Sequence, residues 1–184
     1  MINTKPSSKL VNLVCFKVSW VVTVYGAIQG APWLGLLWVL GWITVFFLWQ
    51  KQDKREWIFL LGCAAIGYIL DSVLILTGYI KFPIEVQYGF LSPLWMIALW
   101  LNMAATFRYA LGWLRNRFFL GAIIGMILGP VAYVGGEKLG GIQLVGGMLP
   151  VAIEWLIAIP IILYLEKISR LKVSIESDNS RKTG

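Results

Sequence analysis

Residues 57–79 read WIFLLGCAAIGYILDSVLILTGY, twenty-three positions with a single charged side chain, Asp71. At 1.5 Å rise per residue, a helix of that length crosses the ~30 Å hydrocarbon core of a bilayer. A charge at the centre of such a segment costs ~2.5–3.5 kcal/mol even on the lenient insertion scale. Asp71 is therefore expected to face protein or water, and its own helix agrees. Ala64, Gly67, Asp71 and Gly78 share one face at ~100° per residue, a stripe of small residues against which another helix can pack. Tyr68 flanks that stripe.

Five more apolar segments extend the pattern. The expected helices are 10–27, 32–49, 57–79, 93–114, 118–133 and 142–165, followed by a polar tail at 173–184 that is expected to be disordered. The first carries Lys17, the fourth Arg108 and the sixth Glu154. The composition agrees with a membrane location: 59% of the 184 residues are hydrophobic and 14% charged. A soluble domain averages roughly 25% charged. The fold class expected is all-α, a polytopic membrane helix bundle of six transmembrane helices in a single domain, 1–172.

Charge sets the orientation. Twelve of the sixteen Lys and Arg residues fall at the amino end, after segments two and four, and in the tail; Lys81 and Lys138 alone lie on the other side. That asymmetry puts both termini in the cytoplasm, as an even number of spans requires. The formal charge of +7 is spread over short inter-helix segments, which suits anionic lipid and not nucleic acid. The amino-terminal apolar run is too long for a signal h-region, contains Lys17 and is read as a retained helix. Trp33, Trp49, Trp57, Trp95 and Trp113 sit near segment ends, where indole rings favour the headgroup zone; Trp20, Trp38, Trp42, Trp100 and Trp155 lie deeper.

The polar interior supplies the candidate site. Asn102 shares a face with Trp95, Ala98, Thr106 and Tyr109. Asn102 and Asp71 each lie ~12–14 Å below the outer surface, so a hydrogen bond between them is sterically open if the third and fourth helices pack together. Glu154 shares a face with Gly147, Pro150 and Ala158 near the midplane. Two cations and two carboxylates sum to zero, as pairing would require; snorkelling of Lys17 and Arg108 to the headgroups is the alternative. The substrate-binding candidates are Asp71, Asn102, Glu154, Arg108, Lys17, Tyr68 and Tyr109. Gly121, Gly125 and Gly129 form a doubled G-x-x-x-G for close helix packing, inside the molecule or between copies. The glycines and prolines from 129 to 150 leave a broken helix end and a flexible outer loop equally open.

The chain contains no histidine. That excludes a Ser-His dyad, an H-E-x-x-H zinc site and His-ligated haem. Cys15 and Cys63 lack C-x-x-C spacing, and no phosphate-binding glycine motif follows a strand. No metal and no cofactor are expected, and whether the chain is an enzyme is left open.

Three segments carry a resemblance: Leu70-Asp71-Ser72, then Pro93-Leu94-Trp95 running on through Trp100 and Thr106 to Trp113-Leu114, and Gly129-Pro130-Val131-Ala132-Tyr133 with Leu139-Gly140. They resemble a domain-of-unknown-function family of small bacterial inner-membrane proteins. The resemblance implies location in that membrane and brings no activity. Members of that family encoded near cyclopropane-fatty-acid-synthase-like genes hint at lipid metabolism. A looser similarity is to the tryptophan-rich sensory proteins, which have five spans. Three functions stay open: a small transporter or binding protein for a hydrophobic or amphipathic molecule, a lipid-modifying enzyme or accessory protein, and a non-catalytic assembly partner. The partners expected are membrane lipids and a small hydrophobic ligand, with a homo-oligomer or a second membrane protein as further candidates.

Overall fold

The computed structural model describes residues 6–53, 56–83 and 89–182, with side chains for 7–53, 56–83 and 89–170. Its described residues form six α-helices: α1 (Pro6–Ile28), α2 (Trp33–Gln50), α3 (Glu56–Leu76), α4 (Trp95–Tyr109), α5 (Phe118–Lys138) and α6 (Met148–Lys182). A short 3₁₀ turn, Gly112–Leu114, follows α4. Where no water satisfies the backbone, a helix is the conformation that pairs every N–H and C=O within one segment. All but α4 are long and apolar enough to cross a membrane.

The shorter α4 is the centre of the bundle. It packs against α1, α2, α3 and α6, and most of its residues are buried. Small residues let the neighbours close in: Ala98, Ala104 and Ala105 are fully buried on α4, and Gly67 of α3 lies under the Trp100 ring. The α5 helix stands outside this core and packs along α6. Gly121, Gly125 and Gly129 face Leu163, Ile159 and Trp155 of α6, so the glycine stripe is filled within the molecule.

Two connections fix which ends lie together. Strand β1 (Ile80–Lys81) pairs antiparallel with β2 (Gln143–Leu144), and Gly146 N–H donates to Tyr79 C=O at 2.9 Å. The loops after α3 and α5 therefore share one end. At the opposite end, Arg108 of α4 reaches the first residue of α3 and Glu166 of α6.

Several boundaries differ from the sequence expectation. The fifth helix does not end at Tyr133 but continues to Lys138, through Pro130 and past Gly135 and Gly136, as tertiary packing overrides propensity. Residues 142–147 form β2 and a turn with Gly147 at φ +68°, so α6 starts at Met148 and not at 142. It runs on to Lys182, past Leu165, since apolar length bounds only an embedded portion and a helix continues into polar residues. The fourth helix ends at Tyr109, where Leu111 turns out of helical geometry at φ −97°, ψ 17°.

Candidate functional site

The described chain contains three polar features in an apolar frame. The first is a cavity of about 60 Å³ between α1, α4, α5 and α6, partly open to the outside of the bundle. That is room for roughly four to six waters, or for one end of a larger molecule. Its walls are aromatic: Trp20 from α1, Trp95 and Trp100 from α4, Tyr133 from α5 and Trp155 from α6. Trp100 and Trp155 lie 5.2 Å apart at 31°, and Tyr133 meets Trp155 edge-on at 6.5 Å. The α1 and α5 helices both supply wall residues without packing along each other. A Cβ on Gly135 would come within 3.2 Å of the Trp20 ring, so the indole bridges the gap.

Asn102 is the polar side chain of this space. It is fully buried; its Nδ2 donates to the Phe16 carbonyl of α1 at 3.0 Å, and its Oδ1 has no donor. The indole N–H groups of Trp95 and Trp155 are also buried without an accepting partner of good geometry.

The second feature lies behind the ring wall. Asp71 is fully buried and accepts from Trp100 Nε1 at 2.8 Å and from the Tyr133 hydroxyl. Glu154 is 4% exposed, and neither of its oxygens receives a hydrogen bond from a donor group. Its neighbour is the Asp71 carboxyl. Two carboxyls buried side by side with no cation repel each other strongly when both are ionised. Among the described residues, no Lys or Arg forms an ion pair with either.

The third feature is an ion network at the end of the bundle rich in Lys and Arg. Arg108 donates from Nε and Nη2 to Glu56, both at 2.5 Å, and from Nη1 to Glu166 at 3.3 Å and Ser169 at 2.8 Å. Arg115 and Arg170 also bind Glu166, at 2.6 and 2.5 Å. The Phe59 ring packs against the Arg108 guanidinium at 5.0 Å. Glu154 and Glu166 are twelve residues apart on α6, which separates the second and third features by ~18 Å.

The sequence candidates thus divide among four places. Asn102 lines the cavity; Asp71 and Glu154 lie one ring behind it. The Asp71–Asn102 bond that the sequence leaves open does not form, because two residues along α4 turn Asn102 ~200° away from Trp100, toward α1. The expected charge pairing is also different. Arg108 belongs to Glu56 and Glu166, and Lys17 is exposed on the outer surface of α1, the position from which a lysine snorkels. Tyr68 is half-buried outside the cavity lining, and its carbonyl accepts from Ser72. Tyr109 is buried against Phe46 at 4.9 Å, its hydroxyl near Glu56 but without hydrogen-bond geometry.

Sequence reasoning missed Trp100, Tyr133 and Trp155 as site residues, and Glu56 and Glu166 as partners of Arg108. The rings read as packing; the two glutamates sit at the edges of apolar segments and read as loop. Their depth was the available signal, since Glu56, Arg108 and Glu166 all lie near the same end. Also missed was a polar face of α1, where Ser8, Asn12, Ser19 and Thr23 are buried at i, i+4, i+11 and i+15.

Comparison with known proteins gives a family match. Residues 9–161 match the family described as protein of unknown function (DUF2878). No curated protein and no solved structure matches the chain.

Proposed function

We propose a binding function for this chain, which belongs to the DUF2878 family of proteins of unknown function. It takes up a small hydrophobic or amphipathic molecule from the bilayer through the opening between α1 and α5 and works as a small transporter or carrier. The observation that supports this is the cavity itself: aromatic walls, partial openness and a fully buried Asn102 whose Oδ1 has no partner. Pockets for small molecules combine apolar lining with a few placed polar groups in this way. A buried acceptor left unsatisfied costs ~1–3 kcal/mol, which a ligand or water removes. The assembly-partner reading loses its surface, since α6 fills the Gly121/Gly125/Gly129 face. We place the Lys/Arg-rich end in the cytoplasm and the protein in a bacterial inner membrane, with α4 as the sixth crossing.

Native mass spectrometry of protein released from its own membranes tests the reading. Wild type is expected to carry a bound small molecule that Ala132→Trp, which fills the cavity from its wall, lacks. Identical spectra for the two proteins would refute it.

A further inference from the structure

We propose that the cavity selects a hydrophobic organic cation, an amine or quaternary ammonium bearing apolar groups; this rests on the cavity being the binding site proposed above. Aromatic faces carry negative potential, and weakly hydrated ammonium ions bind to them. Six aromatic side chains line this cavity, Phe16 among them, with Trp100 and Trp155 tilted against each other and Tyr133 meeting Trp155 edge-on.

What lies behind the rings has the same sign. Trp100 and Tyr133 each donate a hydrogen bond to Asp71, and Trp155 is the sequence neighbour of Glu154. Donation to a carboxylate pushes electron density into the donor ring, which makes the aromatic wall more favourable to a cation. The Asn102 Oδ1, which no donor reaches, adds a carbonyl dipole of the same sense. Among the described residues no positive side chain opposes this: none lines the cavity, Lys17 faces outward, and Arg108 is held by Glu56 and Glu166. The indole N–H groups of Trp95 and Trp155 suit an oxygen on the ligand or a water. The donors an anionic headgroup would find are the indole N–H groups of Trp95 and Trp155, with a buried carboxyl pair behind the rings and no lining cation to offset it. The space of about 60 Å³ takes the cationic head, and the apolar remainder lies in the gap between α1 and α5.

The test uses the full-length protein in zwitterionic nanodiscs and an isosteric pair of probes: benzyltrimethylammonium and its uncharged counterpart neopentylbenzene. Saturation-transfer NMR and thermal stabilisation read binding. The cation is expected to bind at least about tenfold more tightly than the isostere, a difference of about 1.4 kcal/mol. Asp71→Asn and Glu154→Gln are expected to bring the two probes to near parity. Should those variants fail to fold, Trp20→Leu removes one ring at the rim without touching the carboxyls; it is expected to weaken the cation alone. Equal binding of both probes to wild type, or a Trp20→Leu effect equal on both, overturns the cation inference and leaves the binding function standing. Binding of neither probe, or undiminished binding of both to Ala132→Trp, overturns the binding function and the inference with it.

Discussion

At the scale of single residues, the costliest contact to break is Arg108–Glu56, with side chains 2% and 4% exposed. Removing one partner of a buried ion pair costs ~3–5 kcal/mol because the other charge is left uncompensated. Arg108→Met is therefore expected to lower the SDS-denaturation midpoint sharply, and Arg108→Met with Glu56→Gln to recover most of the loss. Glu166 needs no rescue, since Arg115 and Arg170 still hold it. An unchanged midpoint in the single variant would show that the pair is hydrated. Tyr133→Phe deletes one of the donors to Asp71 and is expected to cost ~1–3 kcal/mol in the same assay. The inward placement of Asp71 and Glu154 was legible in the sequence, because a carboxyl in oil is expensive wherever it occurs. Their partners were not: a tryptophan or tyrosine in a membrane segment reads as packing until a second helix brings an acceptor to its polar atom. The ion partners of Arg108 were hidden for a related reason. Summing charges over apolar stretches excludes Glu56 and Glu166, which lie just beyond them yet are buried by the packing of α3, α4 and α6.

At the scale of elements, glycine positions separate tight seams from open faces. A Cβ on Gly67 would fall inside the Trp100 ring and one on Gly129 inside the Trp155 ring, whereas Gly41 and Gly62 have nothing within 4 Å of that position. Gly67→Ala and Gly129→Ala are expected to reduce folded yield and thermal midpoint. Gly62→Ala is expected to be neutral or to gain up to ~1 kcal/mol from helix propensity. Equal effects at all three sites would contradict the α3–α4 and α5–α6 packing. Six helices were legible because apolar length and backbone satisfaction act locally. Their ends were not, because they depend on turns and pairings, such as the β1–β2 contact, that form between distant segments.

At the scale of the whole molecule, α4 decides the topology. Fifteen residues rise ~22 Å, short of the ~30 Å core. Yet its two ends meet opposite ends of the bundle. Ser92, just before it, donates its N–H to Ser72 of α3 at 3.1 Å, and Arg108 near its end reaches Glu56. Buried Phe82 and Leu114 extend the apolar path on either side. A helix enclosed by others is not exposed to lipid along its length, so the usual length requirement relaxes. Reporter fusions at residues 1 and 184 are expected to show both ends on the cytoplasmic side, and opposite sides would remove α4 as a crossing. The cavity depends on this arrangement, since α4 forms its floor while α1 and α5 stand apart around it. It was illegible in the sequence because it closes only when α1 packs against α4, two helices far apart along the chain. The most direct measurement is an experimental density map of the protein in native-lipid nanodiscs. The account predicts non-protein density between α1 and α5, ending beside Asn102 and the Trp100–Trp155 rings. A map in which α1 closes onto α5 and no such density remains would contradict it.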